Sequence, residues 1–562
     1  MGWLRGRNAA RSLDVGASQA GARHLPAQTS EVSETSEVCA GHRGQMLRPY
    51  IWLAVLLAIG LAVRLAYLAQ VAFPPLDDPT FYLQTAANLA QGRGLVIDAI
   101  WSYQVPWQTV THPSHEYWMP LATFLIAGAY SLFGISLRSG QVPGLLCGLG
   151  LVALTYRVAR GALKQRSLAV AAGFLVAISG PLAYQSVSAD SSAPFALLGI
   201  AAVVSIARAR TGKQPWAFAL SGALVALAYL ARPDGALLLA VAVIAWWPLL
   251  RDVRAGWPRL ALAAGGFALF VAPWLVRNAL VFGAPLPGGT LGTILQLEYT
   301  DQFRYPYALV VPPLADLLAV RGKALVHCVY TLLLIGFPYA IVSPFGFASL
   351  CLGAQHLPAQ TSEVSETSEV CAGHYAVRLG GWYLLLMGVI LPLVFPVPTL
   401  AGTFYHSVGA ALPFAAVAAV GGLVWIAERV RASNPRRLFV ALFLAVALLS
   451  LGQTALSLRS VGQMHGQQAH IYSEAGAWLA GHTKAPVVTT QPHTLNYVTG
   501  LPAVALPAVQ PPEVAREVAR KYGAEYVCLT HRFGLYPDAM RDSPLFELAH
   551  KGDGFEIYRV VP

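Results

Sequence analysis

PYIWLAVLLAIGLAVRLAYLAQVAFPPLDD, residues 49–78, decides the fold. Its first part, 49–70, carries a single charge, Arg64, and a run of about 18 or more apolar residues is long enough to cross a bilayer as helix. Pro74 and Pro75 then stiffen the backbone. They deliver two adjacent carboxylates, Asp77 and Asp78, just beyond the membrane. The rest of the chain repeats this pattern of long apolar runs joined by short polar loops.

Of 562 residues, 56% are hydrophobic and 12% charged, about half the charged share of a soluble protein. The chain therefore reads as a polytopic α-helical membrane protein. A net charge of +11 would suggest nucleic acid in a soluble domain. Here the basic residues fall in short loops instead, as expected of cytoplasmic loops between spans, so no nucleic-acid partner is expected. Six cysteines give no disulfide framework. No cleavable signal peptide is evident, because the first apolar run is long enough to stay in the membrane.

The basic clusters are 157–166, 208–213, 251–259 and 428–437. If all are cytoplasmic, each neighbouring pair is separated by an even number of spans. Two fall in the first interval, two in the second, and four in the third: 260–276, 325–352, 376–397 and 408–427. The run 119–134 (MPLATFLIAGAYSLFG) breaks the parity if it crosses. It is short for a span and follows a polar loop, so it is expected to lie on or dip into the outer face. The expectation is about eleven spans, with the N-terminus cytoplasmic and the C-terminus outside. Residues 1–46 form a disordered tail, 47–457 the membrane domain, and 458–562 a small α/β domain outside. In that domain APVVTT and EYVCLTH read as strands, and PPEVAREVARKYGA as a helix with proline at its start.

The chemistry gathers on the outer side. Asp77 and Asp78 suit a base, a cation or a coupled pair, or simply a helix cap. In the same loop (71–139), THPSHEYWMP carries His112, His115, Glu116, Tyr117 and Trp118. Its HxxHE spacing is not that of a zincin, and its aromatics also suit an interfacial belt. Asp190 lies on a short turn at that face; Arg232 and Asp234 (ARPDG) and Arg277 (PWLVRN) sit near span ends, where snorkelling alone explains an arginine. Together they suit a lipid-linked phosphate, since arginine holds phosphate oxygens in a fork and a carboxylate takes a proton from an attacking hydroxyl.

The order DD-x-x-x-Y…N-L-A-x-G-x-G-L, then HP-x-x-x-YWMPL…LFG, then RP-x-G, then PWL-x-RN-x-x-x-FG-x-P resembles the GT-C superfamily of membrane glycosyltransferases. Within it, the chain is most similar to bacterial relatives of dolichyl-phosphate-mannose–protein mannosyltransferases and aminoarabinose transferases. The likeness runs from residue 46 onward. It implies transfer of a sugar from a polyprenyl-phosphate carrier to a protein, lipid or glycan acceptor on the outer face. It implies Asp77, Asp78, Glu116 and Asp190 as the catalytic acids. Many relatives have Asp-Glu where this chain has Asp78-Pro79, so either aspartate is open as the base. Arg277, Arg232 and His406 would face the donor phosphate, and His112, His115, Tyr117 and Tyr82 the acceptor or substrate. No metal is required, because a phosphate monoester is a reasonable leaving group, although a divalent cation is compatible. A transporter or flippase of a lipid-linked or polar substrate is the competing reading. It would place charges at mid-membrane and show inverted repeats, whereas the acids here gather in outer loops.

One string, HLPAQTSEVSETSEVCAGH, occurs twice, at 24–42 and 356–374. Both copies are expected on the cytoplasmic side, flexible and away from the chemistry. A metal site from Cys39 and His42, or Cys371 and His374, would need further ligands. Identity between unrelated contexts suggests a repeated DNA element read in frame, with Met46 as a possible true start.

Overall fold

The computed structural model describes residues 31–75, 78–212, 214–353, 364–430, 433–530 and 540–562. Two units are distinguished, residues 1–51 and 52–562. In the first, a helix begins at Glu31; the site and the sheet lie wholly in the second.

Among the described residues, eight helices are long and apolar enough to cross a membrane: Tyr50–Gln70, Leu137–Leu163, Ser192–Thr211, Gly256–Phe282, Leu314–Ile335, Ala372–Val394, Leu412–Arg429 and Pro435–His482. Five shorter apolar helices accompany them: Leu121–Phe133, Arg166–Ala177, Trp216–Ala231, Pro233–Leu249 and Tyr339–Leu350. The expected single span at 325–352 is corrected. One helix ends at Ile335 and the next begins at Tyr339, because Gly336 and Pro338 interrupt the ladder. Helix Leu121–Phe133 has 13 residues, about 20 Å at 1.5 Å per residue. That is too short to span, as expected for 119–134, and it packs against helices Asp78–Ala90 and Leu137–Leu163.

Helices Ser192–Thr211 and Leu412–Arg429 form the centre of the bundle, burying Phe195, Val203, Ile206, Phe414 and Val417. Small residues permit close approach, as membrane helices without a hydrophobic drive between them require. A Cβ on Gly222 would collide with the Ala263 carbonyl, and one on Gly266 with that of Ala219.

Part of the second repeat copy contradicts the flexible reading. Residues 364–374 are helical within Val364–Val394, and Ala372 and Gly373 are buried. A Cβ on Gly373 would meet the Gly161 carbonyl carbon at 2.5 Å. Adding a turn to an existing helix avoids the nucleation cost, so an apolar span carries its polar neighbour into helix. Residues 24–30 and 356–363 of the copies lie outside the described residues.

Among the described residues eight strands occur: β1 Val96–Ile97, β2 Ala99–Ile100, β3 His112–Pro113, β4 Val487–Thr489, β5 Ala503–Ala505, β6 Tyr526–Thr530, β7 Phe546–Gly552 and β8 Phe555–Val560. β1 and β3 pair antiparallel within the first loop. The other six form one sheet, ordered β2-β5-β4-β6-β8-β7. β2, β5, β4 and β6 are parallel, and β8 and β7 close the edge antiparallel. The first loop thus supplies an edge strand to the C-terminal sheet, pairing Ala99 with Ala503 and Ile100 with Val504. The expected strands in APVVTT and EYVCLTH are present, as is a helix Pro512–Tyr522. Helix Pro435–His482 runs unbroken through residue 458, so the last span and the support of this domain are one rod of 48 residues.

Candidate active site

Asp78 opens helix Asp78–Ala90, followed by Pro79. Proline fits a first turn, where its missing N–H costs nothing, and a carboxylate complements the positive end of the helix. The Trp118 indole Nε1 donates to Asp78 Oδ1 at 2.8 Å. Asp77 lies outside the described residues.

Asp190 sits on the turn before helix Ser192–Thr211, where Ala189 adopts φ 60°. A non-glycine residue in this region is strained and marks an over-determined loop. The Ser192 backbone N–H donates to Asp190 Oδ1 at 2.8 Å, and His406 Nδ1 stands 3.6 Å from Oδ2. The Ser192 hydroxyl and His406 Nδ1 are 2.7 Å apart. Burial pushes the Asp190 carboxyl above its ordinary value, with the Ser192 and Ser188 hydrogen bonds partly opposing it.

Arg232 is buried among the same groups. Its Nε lies 3.3 Å from Asp234 Oδ1, and it donates to the Ser191 hydroxyl at 3.3 Å. The Ser407 hydroxyl donates to Asp234. Tyr82, also buried, is hydrogen-bonded to Ser191, and burial raises its hydroxyl, as do the Asp78 and Asp190 charges. Three carboxylates therefore share one guanidinium and one imidazole.

Glu116 and Arg277 form a second group. The Arg277 guanidinium lies 4.9 Å over both the Trp274 and Phe282 rings, and donates to the Ser114 carbonyl at 3.1 Å. Glu116 is 5% exposed, and its Oε2 has no hydrogen-bond partner among the described residues. Burial raises its carboxyl, while His112 and Arg277 pull the other way. Its carbonyl is packed against Gly288 (φ 89°), where any Cβ would collide.

The two histidines turn out to hold the loop. His115 takes φ 73°; its Nδ1 meets the Ser114 hydroxyl at 2.8 Å and its Nε2 the Thr123 hydroxyl at 2.9 Å. Burial lowers its pKa to about 3, so the ring is neutral. His112 stacks on Trp107, with its ring nitrogens 2.9 Å from the Pro113 carbonyl and 3.2 Å from that of Ala99. The protein itself uses the nitrogens expected to meet substrate. Tyr117 places its hydroxyl 3.4 Å from Ser102. Arg232, expected at a donor phosphate, stands instead with the carboxylates, because buried acids demand compensating charge; His406, expected there too, meets the Ser192 hydroxyl beside Asp190.

Trp118 holds Asp78 within a cluster of aromatic rings. Beyond its bond to Asp78, its ring stacks on Phe81 at 4.3 Å and meets Trp101 and Tyr117 edge-on. Its sequence context also suits an interfacial aromatic, which conceals this role. Across this cluster the C-terminal domain closes down: Thr494 lies 3.4 Å from Thr80, and Gln84 donates to Asn496 at 3.0 Å. Among the described residues, no three of His, Cys, Asp and Glu assemble as metal ligands.

Residues 111–276 match the family model of dolichyl-phosphate-mannose-protein mannosyltransferases. The structure is similar to ArnT from Cupriavidus metallidurans bound to undecaprenyl phosphate, with TM-score 0.53 and 12% identity over 91% of this chain and 98% of that one. Its apo form gives 0.55 at the same identity and coverage. The chain shares the fold of ArnT. A further likeness in fold is to the archaeal oligosaccharyltransferase AglB from Archaeoglobus fulgidus, in complex with an inhibitory peptide and a dolichol-phosphate. It has TM-score 0.51 and 12% identity, over 86% of this chain and 70% of that one. No curated protein matches the chain in sequence. The family match takes in Glu116, Asp190 and Arg232, while Asp78 and Arg277 lie outside it. Two residues beside the matched segment's acids thus come from outside it, Asp78 from helix Asp78–Ala90 and His406 from helix Phe404–Val408.

Proposed function

We propose that this protein transfers a sugar from a polyprenyl-phosphate carrier to a hydroxyl acceptor (protein, lipid or glycan) on the outer face of the membrane. The N-terminus is then cytoplasmic and the C-terminal domain extracytoplasmic. The observation that carries the reading is the grouping of Asp190 and Asp234 with Arg232 and His406, with the Asp78 and Asp190 charges both acting on Tyr82, while Arg277 and Glu116 form a second group. The relatives ArnT and AglB, solved with undecaprenyl phosphate and dolichol-phosphate, support the carrier class.

In the proposed step Asp78, or its neighbour Asp77, accepts the proton of the acceptor hydroxyl. The freed oxygen forms a bond to the anomeric carbon as the bond from that carbon to the phosphate oxygen breaks. The electron pair leaves on the lipid phosphate, whose charge Arg277 opposes. Attack opposite the leaving group inverts the anomeric centre. Asp190, fixed by Ser192 and His406, orients the acceptor, and Arg232 compensates the buried carboxylates of Asp190 and Asp234. The reaction needs no cofactor; a divalent cation would serve only to assist the departing phosphate, so chelation is expected to leave a basal rate.

The test pairs mass spectrometry of envelope glycans from a deletion strain with purified enzyme. The donors are a panel of undecaprenyl-phosphate-linked hexoses and pentoses, and the acceptor is the deletion strain's envelope fraction. Asp78→Asn, alone or with Asp77→Asn, should abolish glycosidic product. Wild-type transfer in the double variant would remove the assigned site. Movement of the lipid-linked sugar without a glycosidic product would establish a flippase instead.

A further inference from the structure

His493 belongs to the C-terminal domain, as the second residue of helix Pro492–Thr499. It is 1% exposed, and neither ring nitrogen has a hydrogen-bond partner among the described residues. Burying an imidazole with both nitrogens unmet is costly, so something other than polar bonding must fix it there. Its ring stands edge-on to Phe81 and to Trp118, at 5.2 Å from each and inclined by 67° and 77°. Those two rings stack on each other at 4.3 Å, and Trp118 carries the N–H that holds Asp78. Edge-to-face contacts fix relative ring orientation. Burial lowers the His493 pKa to about 3, so the ring acts as a neutral aromatic edge.

We infer that His493 is a positioning residue by which the C-terminal domain sets the orientation of Trp118, and through it the hydrogen bond to Asp78. The domain is anchored for this purpose on both sides of the acid. Helix Pro492–Thr499 packs on helix Asp78–Ala90 through Thr494 and Asn496, and β5 pairs with β2 of the first loop. Its catalytic consequence rests on the proposed role of Asp78; its structural half does not.

The indole N–H of Trp118 reports the bond directly. In the full-length protein labelled with 15N-indole tryptophan, Trp118→Phe assigns that resonance. His493→Ala should shift it, whereas His493→Phe, which keeps the ring and removes both unmet nitrogens, should leave it in place and raise Tm. Thr494→Val, on the same helix, should leave it unmoved. With whichever donor of the panel the wild type uses, His493→Ala should lower kcat about tenfold with KM unchanged, a loss within the range of one charge-assisted hydrogen bond, and His493→Phe should restore it. An unmoved indole resonance in His493→Ala overturns the inference. So does a His493→Phe variant that behaves like His493→Ala while His493→Gln behaves like wild type, because the nitrogens would then be what matters. If the resonance follows this pattern but no donor yields product, positioning stands and the proposed function fails.

Discussion

Trp118→Phe isolates one hydrogen bond from the aromatic packing around it. The substitution removes the Nε1 donor 2.8 Å from Asp78 but leaves a six-membered ring to stack on Phe81. A hydrogen bond to a charged group is worth about 1.5–3 kcal/mol net. At about 1.4 kcal/mol per tenfold, kcat/KM for glycosyl transfer should fall about 10- to 100-fold. Trp118 is half-buried, and the smaller ring also gives up part of its edge contacts with Trp101 and Tyr117. A modest fall in Tm should therefore accompany the kinetic loss. The assay is initial-rate transfer from the undecaprenyl-phosphate-sugar panel, alongside thermal melts of the detergent-solubilised protein. A rate within twofold of wild type, with Asp78→Asn inactive in the same preparation, would refute the idea that the indole bond sets the acid's competence.

Arg232→Met should cost about 3–5 kcal/mol, because it strands the buried Asp234 carboxylate beside Asp190. Loss of folded protein in fluorescence-detected size exclusion, partly recovered by adding Asp234→Asn, is the expected pattern. In the C-terminal sheet, Glu556 is held down to about 2 by hydrogen bonds from Arg541, Tyr558 and Lys551, which overcome its burial. A carboxyl lowered on folding stabilises the folded state above its ordinary value of 4.5 and loses that contribution as the pH falls toward 2. Hydrogen exchange across β6–β8 should therefore show wild type more protected than Glu556→Gln at pH 7, with the gap closing near pH 2. Gly373→Leu should destabilise the bundle by about 1–3 kcal/mol through overpacking against Gly161. An unchanged melt would return the second repeat copy to the inert status its composition suggests.

Legibility followed the range of each interaction. Asp78 was visible because the apolar run ends at two prolines and an acid can start a helix, both local facts. Helix Leu121–Phe133 was legible for the same reason, since length alone keeps it from spanning. The break at Gly336–Pro338 was obscured by an apolar composition continuous across it, which signals burial without saying whether the helix continues. β2 has two residues and no readable period, so its place in a sheet completed some 400 residues later had no local signature. Residues 364–374 misled in the other direction, because their polarity says nothing about the helix that runs through them.

The sequence by itself determined the membrane-spanning class, the acids and arginines near the ends of apolar runs, and the GT-C resemblance. Partitioning between lipid and water is a property of each short segment, and it needs no knowledge of neighbours. Only the tertiary structure decided who meets whom. It turned Arg232 and His406 toward the carboxylates, committed the nitrogens of His112 and His115 to the loop, and set Trp118 between Asp78 and His493. Charge compensation and ring packing act over a few ångströms between residues far apart in the chain. The bundle and the C-terminal sheet must close before those pairs exist.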